Sequence, residues 1–469
     1  MQFTLIKSVV ITAFLIIPIN SYSQNQSELD SVISFNYKKI SRQFVSTALK
    51  ERSGYEALRN LCRIGSRLSG SSNSRIAINW AKFKMEELGF DTVWLQPVMV
   101  PHWERGNTEE LALLDPKTAG EKKLNVLALG GSTGTALEGV TSNVIEIKSF
   151  EELKEKSEEV RGKIAYFSTG FDQSTKNTFT AYGNAVGFRV HGAVEAAKLG
   201  AVGVIIRSLT TKFDNVPHTG ITIYADTLVK IPAVAIGYLD ADYLSKVIKE
   251  DPQLKVRIKL DCKILPDAPS YNVIGEIKGT EFPEEIIVVG GHLDSWDVGD
   301  GAHDDGAGCI QAIEVLDLFN RLNIKPKRTI RTVLFINEEN GSRGANEYSI
   351  FADTSKQVHI AAIESDRGAF TPSGFYLDTD STEMIDQFKS WLPFLEIAGI
   401  HWIHNGGSGS DVSKIRNAKL RVGYCPDDQR YFDFHHSPSD VFEAVHPREF
   451  ELGSAAMAIL TYLLSEEGF

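Results

Sequence analysis

Residues 284–365 alternate between strand-like and helix-like stretches, and this alternation constrains the fold more than any other feature of the sequence. The strand-like runs lie at 284–291, 329–337 and 358–365, and the helical runs lie at 306–322 and 342–352. Strands that are joined through helices pair in parallel by right-handed crossovers, and helices then cover both faces of the sheet. The sequence therefore predicts an α/β fold with a mostly parallel sheet flanked by helices.

The pattern of apolar and turn-forming residues changes between residues 125 and 265, and this change predicts a second domain inserted into the first. Short β-like runs alternate there with glycine and polar turns, and one helix, at 190–201, interrupts them. A chain of 469 residues is also too long for one ordinary core. We therefore expect an inserted β-rich domain at 125–265, which divides the main domain into residues 24–124 and 266–469.

The first 23 residues have the pattern of a secretory signal peptide. Lys7 precedes an apolar run at 9–17, and the small residues Ser21 and Ser23 flank the tyrosine before the expected cleavage point. The apolar run is too short for a helix that spans a membrane. We expect export to the periplasm or the medium, with cleavage after Ser23 and no membrane partner.

The charge of the chain argues against nucleic acid as a partner. Its 49 Lys and Arg residues are outnumbered by 61 Asp and Glu residues, for a formal charge of −12, and no clustered basic face is evident. The four cysteines lie far apart without a CxxC pair, so they predict neither a thiolate metal site nor a particular disulfide. Cys309, in an apolar helical run, is expected to be a buried thiol.

Metal-capable side chains follow each of the three predicted strands. His292 and Asp294 follow the first strand, Glu338 and Glu339 the second, and Asp366 the third. Ligands bind outside the carboxyl ends of the strands in open α/β sheets, so these side chains are expected to converge. The alternative is an acidic surface loop, since Asp and Gly are the usual residues of solvated turns. Placement at all three strand ends favours a metal site, because imidazole and carboxylate groups are ligands that zinc takes.

Two further segments offer ligands to the same site. A bend after His292, which we expect to be flexible, leads to the acid pair Asp304 and Asp305 at the start of the next helix. A later loop carries His435 and His436. Such a histidine pair is more often structural, but beside three acidic strand ends it is expected to bind metal. The residues alone leave open which member of each pair is the ligand.

The number of candidate ligands indicates two metal ions rather than one. Two histidines and three carboxylates exceed what one tetrahedral zinc with an open position takes, and they suit two ions that share a bridging carboxylate. Two ions about 3.5 to 4 Å apart hold a hydroxide between them, which is the chemistry of hydrolysis. Of the adjacent Glu338 and Glu339, one can bind metal while the other acts as the general base.

The second ring nitrogen of each ligating histidine also needs a partner. Metal-binding histidines usually donate this N–H to a carboxylate, a carbonyl or water, which fixes the tautomer. Asp294, two residues after His292, is expected to accept it there, and we count Asp294 among the candidate catalytic residues for this reason. Asp440 is expected to do the same for His436.

Five stretches of the chain resemble, in order and spacing, the two-metal zinc aminopeptidase and glutamate carboxypeptidase family, and within it the plasma glutamate carboxypeptidase type. They are GGHLDSWDVGDGAHDDGAG at 290–308, FINEENGSRGA at 335–345, AAIESDRGAF at 361–370, NGGSGSDVSKI at 405–415 and HHSPSD at 435–440. The resemblance implies a secreted exopeptidase that uses two zinc ions per chain to hydrolyse dipeptides or short peptides. It also implies a homodimer as a candidate assembly.

The same resemblance implies a role for each candidate side chain. The metal ligands of the family match His292, Asp304, Glu339, Asp366 and His436. Asp304 matches the ligand that bridges the two ions, and Glu338 matches the general base. Asp305 resembles the partner of Asp304 in a strained cis peptide that aims the bridging carboxylate. His435 occupies the place where some relatives carry a tyrosine that stabilises the tetrahedral intermediate, so His435 is a candidate for that role.

The inserted segment carries a resemblance of its own. The stretches at 160–170, 193–208 and 229–248 resemble a protease-associated domain. In relatives such a domain lies beside the active-site cleft, where it narrows access and favours short peptides.

Two other functions stand as alternatives. A single-zinc acyltransferase of the glutaminyl cyclase type shares the fold, but such enzymes do not keep all five ligands. A non-catalytic, receptor-like scaffold would have a degraded site, whereas this chain keeps every ligand and the base. The HExxH motif of single-zinc proteases is absent. Which peptide end is read stays open, because a carboxypeptidase needs a cation for the terminal carboxylate and an aminopeptidase needs an acid for the terminal amine.

Overall fold

The computed structural model of the protein describes residues 19–115 and 120–469, with the backbone alone at 19–31 and at 115. The predicted signal peptide therefore lies outside the described residues, apart from 19–23, which begin the first helix. No helix in the described part of the chain is both long and apolar enough to cross a membrane.

The described residues form twelve α-helices and sixteen strands. The helices are α1 (Ile19–Glu51), α2 (Ser53–Cys62), α3 (Ser72–Glu87), α4 (Phe150–Glu155), α5 (Ser157–Val160), α6 (Thr178–Lys198), α7 (Tyr238–Glu250), α8 (Ala307–Arg321), α9 (Arg343–Thr354), α10 (Thr382–Ser390), α11 (Leu392–Leu395) and α12 (Pro447–Glu467). The strands are β1 (Thr92–Glu104), β2 (Glu109–Asp115), β3 (Gly120–Leu124), β4 (Val126–Ala128), β5 (Val140–Ile147), β6 (Ile164–Phe167), β7 (Gly203–Arg207), β8 (Ala233–Ile236), β9 (Lys255–Leu260), β10 (Lys263–Ile277), β11 (Phe282–His292), β12 (Arg328–Phe335), β13 (Val358–Glu364), β14 (Pro372–Asp378), β15 (Trp402–Asn405) and β16 (Leu420–Pro426).

The first sheet contains the three strands that the sequence predicts, and they lie at its parallel centre. Its strand order is β1-β10-β12-β11-β13-β16-β14-β15. Strands β12, β11, β13 and β16 pair in parallel, whereas β10 and β14 join this centre in antiparallel pairs. The predicted α/β fold is confirmed, and its antiparallel flanks are additional to the prediction.

Helices bury both faces of this sheet, which explains why its central strands are apolar throughout. Ile287 and Val289 of β11 belong to the core beneath α8 and α12, while Ile286 and Val288 belong to the core beneath α9. Successive side chains of a strand point to opposite faces, so a strand covered on both sides needs an unbroken apolar run. The carboxyl ends of β11, β12 and β13 therefore lie side by side at one edge of a rigid layer.

All eight strands of the second sheet come from the chain between Glu109 and Leu260, which separates β1 from β10. Their order is β3-β2-β9-β5-β6-β7-β8-β4, and apolar cores lie on both faces. Strands β2 and β3 precede residue 125, and helix α7 is additional to the one helix that the sequence predicts. Helix α7 buries Ala241 and Leu244 and packs Val247 and Ile248 against the same core, an amphipathic stripe that the sequence prediction missed. The domain boundaries at 125 and 265 stay a prediction.

The four cysteines are buried and form no disulfide. Cys309 lies in α8 with no exposed surface, as its apolar helical run predicts. Within the described residues, the groups of side chains that can hold a metal ion contain histidine and carboxylate donors alone.

Candidate metal centre

The loops at the carboxyl ends of the central strands bring the five predicted ligands together. His292 is the last residue of β11, Glu339 follows β12 by four residues, and Asp366 follows β13 by two. Asp304 lies in the turn before α8, and His436 lies in the loop after β16. Four of these side chains are buried and that of Asp366 is mostly so, which places the cluster beneath the protein surface.

Asp304 lies between two groups of donors, one on each of its carboxylate oxygens. Oδ1 lies 3.2 Å from Nε2 of His292, and the same nitrogen lies 3.4 Å from an oxygen of Asp366. Oδ2 lies 3.3 Å from Nε2 of His436, which in turn lies 3.0 Å from an oxygen of Glu339. Each oxygen of Asp304 therefore faces one histidine and one further carboxylate, as a carboxylate shared by two cations does.

The chemistry of these donors fits zinc. Histidine nitrogens and carboxylate oxygens are zinc ligands, and two groups of them have their donor atoms within 4.8 Å of one another: His292, Asp304 and Asp366 form one, and Asp304, His435 and His436 form the other. Glu339 adjoins the second group through its contact with His436. One oxygen each of Asp304, Glu339 and Asp366 is buried with no hydrogen-bond partner among the described residues. Buried carboxylate oxygens without a partner are costly, and a cation in each group supplies one.

The protonation of the three histidines differs in the chain alone. Burial lowers the pKa of His435 and of His436 well below the ordinary value, so both rings are neutral. Burial acts in the same direction on His292, but the carboxylates of Asp366 and Asp304 outweigh it and raise the pKa of His292. Neutral imidazole is the form that binds a metal, and a cation arriving near His292 displaces its proton.

The structure brings both members of the histidine pair to Asp304. Their rings stack with centroids 3.5 Å apart. Nε2 of His435 lies 3.8 Å from Oδ2 of Asp304, compared with 3.3 Å for His436. His436 alone of the two also contacts Glu339. The distances favour His436 as the ligand and leave His435 beside it in the wall of the site.

The peptide bond between Asp304 and Asp305 is cis, the form that the resemblance implies. The Asp305 carboxylate accepts hydrogen bonds from the backbone amides of His292, at 3.0 Å, and Gly308, at 2.9 Å. A β-carbon at Gly308 would lie 2.5 Å from this carboxylate and 1.8 Å from the Ser365 carbonyl oxygen, so the close packing requires glycine. Asp305 therefore fastens the end of β11 to the start of α8.

The predicted role of the Asp294 carboxylate is wrong, because it does not meet the imidazole of His292. The second ring nitrogen of His292 lies 3.0 Å from the backbone carbonyl oxygen of Asp294. The carboxylate instead accepts hydrogen bonds from the backbone amide of Glu338, at 3.0 Å, and from the Ser69 hydroxyl, at 3.1 Å. The amide of Glu338 lies beyond the end of β12 and has no partner in the sheet, so it takes the nearest carboxylate.

The predicted role of Asp440 needs the same correction. The second ring nitrogen of His436 lies 3.3 Å from the backbone carbonyl oxygen of Thr219, in the second sheet's part of the chain. The Asp440 carboxylate accepts hydrogen bonds from the backbone amides of His303, at 2.7 Å, and Asp304, at 3.1 Å. Both aspartates therefore hold the backbone of segments that carry ligands or the base, and backbone carbonyls orient the imidazoles.

The bend between the first two ligands is buried and held in place, whereas the sequence indicates a flexible bend. Arg67, in the turn between α2 and α3, has no exposed surface. Its Nε donates to the carbonyl oxygen of Leu293 and its Nη2 to that of Gly301, both at 2.9 Å, and Nη1 donates to that of Asp300. One guanidinium thus binds both ends of the bend.

Glu338 faces a cavity of about 430 Å³ onto which the ligands open. Four of the five ligands line this cavity, all but His292, together with Glu338 and His435. The other lining residues are Phe179, Tyr182, Arg189, Ile221, Arg367, Gly409, Ser410, Tyr431 and Phe432. The surrounding protein raises the pKa of the Glu338 carboxyl to about 7 through burial, which His292 opposes and the neighbouring carboxylates of Asp366 and Asp304 reinforce. A carboxyl group with a pKa near neutrality is suited to accept and return a proton.

Residues from the segment that contains the second sheet form one wall of this cavity. Arg189 of α6 is 5% exposed, lies with Nη1 3.2 Å from a ring nitrogen of His436, and donates from Nη2 to the Tyr182 hydroxyl at 2.7 Å. The sequence interpretation misses Arg189. The one available signal is its position on the buried stripe of α6, between Ala185 and Gly192, where a cation is unexpected.

Known proteins resemble this chain over most of its length. Residues 272–461 match the profile of peptidase family M28. Carboxypeptidase Q from Xenopus laevis is 35% identical over 95% of this chain and 94% of its own, and carboxypeptidase Q from Homo sapiens is 36% identical over 86% of this chain and 83% of its own. Among solved structures, a peptidase M28 precursor from Shewanella amazonensis has a TM-score of 0.87 at 32% identity and covers 92% of this chain and 97% of its own. A zinc aminopeptidase from Bacillus subtilis shares the fold, with a TM-score of 0.59 at 20% identity over 86% of this chain and 93% of its own.

Proposed function

The chain belongs to peptidase family M28 and is a zinc-dependent exopeptidase, and from this premise we propose that it hydrolyses dipeptides or short peptides with two zinc ions and with Glu338 as the general base. The proposed ligands are His292, Asp304, Glu339, Asp366 and His436. The proposal rests above all on Asp304, whose two oxygens each face a histidine and a further carboxylate.

Zinc at these ligands supplies a Lewis acid that polarises the scissile carbonyl and lowers the pKa of water. Glu338 takes the proton of the attacking water and delivers it to the leaving amine. The hydrogen bond from its backbone amide to Asp294 holds Glu338 at the cavity wall. A base held in this way needs no rearrangement between the two proton transfers.

His435 is proposed to stabilise the negative charge that develops on the carbonyl oxygen. Burial keeps its pKa well below the ordinary value, so the ring is neutral and donates a single N–H. The ring lies between His436, at a centroid distance of 3.5 Å, and Tyr182, at 5.3 Å. This packing fixes the direction of the donor, as stabilisation of a developing oxyanion requires.

The shape of the cavity supports action on short peptides. Phe179 stacks on Tyr431 with centroids 5.4 Å apart, and Tyr182 stacks on Phe432 at 4.9 Å. These contacts join α6 to the loop after β16 and close one side of the cavity. A long chain would need openings on both sides to place an internal bond at the metals, so a closed side favours exopeptidase action. We propose that the second sheet belongs to a protease-associated domain that narrows the cleft in this way.

The test is a zinc titration of metal-free protein, with metal content measured by mass spectrometry and dipeptide hydrolysis measured in parallel. We expect activity to require two zinc ions per chain. Full activity with one tightly bound zinc would overturn the two-ion proposal, and cyclisation of N-terminal glutamine without hydrolysis would favour the acyltransferase. Export stays a prediction, which N-terminal sequencing of the mature protein checks.

A further inference from the structure

Arg367 lies in the wall of the metal cavity with all of its guanidinium N–H groups free of protein partners among the described residues. It follows the ligand Asp366 directly, and in the part of the chain that the structure describes its guanidinium makes no hydrogen bond and no ion pair. Phe179 and Tyr376 hold it instead, with ring centroids 4.4 and 5.4 Å from its central carbon. Cation–π contacts of this kind position a guanidinium through its face and leave the N–H groups at its edge free.

The second cation of the wall, Arg189, is held by its neighbours, and the one donor that it leaves without a partner among the described residues, Nε, is buried. Its Nη2 donates to Tyr182, its Nη1 lies against His436, and the backbone at Gly220 packs so closely that a β-carbon there would lie 2.5 Å from the guanidinium carbon. Arg189 therefore has a positioning role beside a ligand. Of the two arginines, Arg367 is the one with donors available to a substrate.

The carboxylates that line the metal cavity also have proposed roles already. Among the described residues, the carboxylates that line it are Asp304, Glu338, Glu339 and Asp366, which are the proposed ligands and the proposed base. The described wall of the metal cavity offers no further carboxylate to a terminal ammonium group; Asp427 and Asp428 line an adjoining cavity instead. The free charged group in the wall of the metal cavity is therefore the cation Arg367, which fits a substrate that presents a carboxylate.

A second cavity, of about 640 Å³, lies on the other side of Arg367 and shares this residue as a wall. Its apolar surface comes from Tyr376 and Trp402, whose rings lie 4.9 Å apart, and from Pro372 and Pro426. A group bound at the edge of Arg367 thus lies between the metals and an aromatic cavity. The volume exceeds the 430 Å³ of the metal cavity, so it has room for a large side chain.

Building on the proposed function, we infer that Arg367 binds the C-terminal carboxylate of the substrate and that the adjoining cavity takes the side chain of the C-terminal residue, preferably an aromatic one. The two N–H groups at one edge of a guanidinium match the two oxygens of a carboxylate. Tyr376 serves both parts of this subsite, since its ring supports the guanidinium and faces Trp402. The enzyme then reads the carboxyl end of the peptide.

The first test compares a free dipeptide with its C-amidated and N-acetylated forms on the zinc-loaded protein. We expect kcat/KM for the free acid to exceed that for the amide by roughly 10- to 100-fold, the range that a charged hydrogen-bond pair supplies. N-acetylation should have a much smaller effect. The reverse pattern, in which the N-acetylated dipeptide is not hydrolysed and the C-amidated dipeptide is, would overturn the inference.

The second test replaces the guanidinium. Arg367→Gln should bring the ratio of free-acid to amide kcat/KM close to one, and Arg367→Lys, which keeps the charge without the paired donors, should fall between. Arg343→Gln is the control, because this exposed arginine pairs with Asp267 outside both cavities of the site and should leave the ratio unchanged. Retention of the wild-type ratio in Arg367→Gln, or its loss in Arg189→Gln alone, would refute the role of Arg367.

The third measurement separates binding from catalysis. In a Glu338→Gln background, calorimetry with the free dipeptide and its amide should show weaker binding of the free acid after Arg367→Gln, with zinc content unchanged. Trp402→Ala should lower the preference for a C-terminal phenylalanine over alanine, and an unchanged preference would contradict the aromatic subsite. If the zinc-loaded wild-type protein hydrolyses no peptide yet binds the free acid through Arg367, the proposed function fails and the carboxylate site stands.

Discussion

The backbone amide of Asp304 donates a hydrogen bond to the carboxylate of Asp440 across 3.1 Å. This bond joins the proposed bridging ligand to the loop that carries His436, although the two segments lie far apart in the chain. A metal pair needs its ligands fixed relative to each other, and a hydrogen bond from the backbone of one ligand segment to a side chain of the other provides this.

The first prediction concerns this bond. Asp440→Ala should weaken zinc binding by about 10- to 100-fold, since removing a partner that orients a metal ligand typically has that effect. Titration against a competing chelator measures it. Asp433→Ala is the matched control, because Asp433 lies in the same loop and pairs instead with Thr211. Equal zinc affinity in the two variants would show that Asp440 does not position the ligands.

Glu338→Gln should lower kcat for dipeptide hydrolysis by about 100- to 10,000-fold, because the amide cannot accept the proton of the attacking water. Zinc content should stay at the wild-type value, since the proposed ligands are untouched. Steady-state kinetics and metal analysis of the same sample give both quantities. Activity close to that of the wild type would remove Glu338 as the base.

Arg67→Met should destabilise the protein by about 3 kcal/mol, because the buried carbonyl oxygens of the bend lose their donors. Chemical denaturation of the metal-free protein measures this loss without any contribution from zinc. Arg75→Met, on the exposed face of α3, is the control and should change stability little. A stable Arg67→Met protein with normal zinc affinity would contradict the role of Arg67 in shaping the bend.

A pair of carboxyl groups that are not among the proposed ligands, Glu314 of α8 and Glu451 of α12, should give the stability of the protein a particular pH dependence. Burial and then the neighbouring Glu314 raise the pKa of Glu451 from 4.5 to about 10. The folded chain therefore keeps this proton at neutral pH, whereas the unfolded chain releases it. The stabilisation is complete below pH 4.5 and is lost as the pH rises through neutrality toward the folded value.

Glu451→Gln removes the titrating group while keeping its shape. Its advantage over the wild type in free energy of unfolding should therefore grow between about pH 6 and about pH 9. Urea denaturation at several pH values tests this. Glu347→Gln, which changes an exposed carboxyl of α9, is the control, and its free energy of unfolding should depend on pH as that of the wild type does. The same pH dependence in Glu451→Gln would disprove the shared burial of the pair.

The sequence was sufficient to predict the fold and the segments that carry the proposed ligands, because both depend on local patterns, whereas the choice within the pairs Asp304/Asp305 and His435/His436 came from the family resemblance alone. The apolar runs of β11, β12 and β13 announce a doubly covered sheet, and ligands fall at the ends of such strands. The functions of Asp294 and Asp440 were not predictable in the same way. Their partners are backbone amides of Glu338, His303 and Asp304, and a backbone amide leaves no trace in a pattern of side chains.

Contacts between segments that are distant in the chain were also not predictable from the sequence. Arg67 binds a bend more than two hundred residues further along the chain, and Arg189 reaches His436 from the second sheet. Either arginine, taken alone in the sequence, has the composition of an ordinary surface residue. Only the packing of the two sheets shows that both are buried and that each serves the metal centre.

The contacts of His436 with Thr219 have a consequence for the newly made protein. The carbonyl oxygen of Thr219 faces the His436 ring, and its backbone amide donates to the His436 carbonyl oxygen at 2.8 Å. The ring and the backbone of this ligand are thus set in place by a segment that lies more than two hundred residues earlier in the chain. A newly made chain therefore cannot complete the hydrogen bonds of this ligand until the two segments have come together.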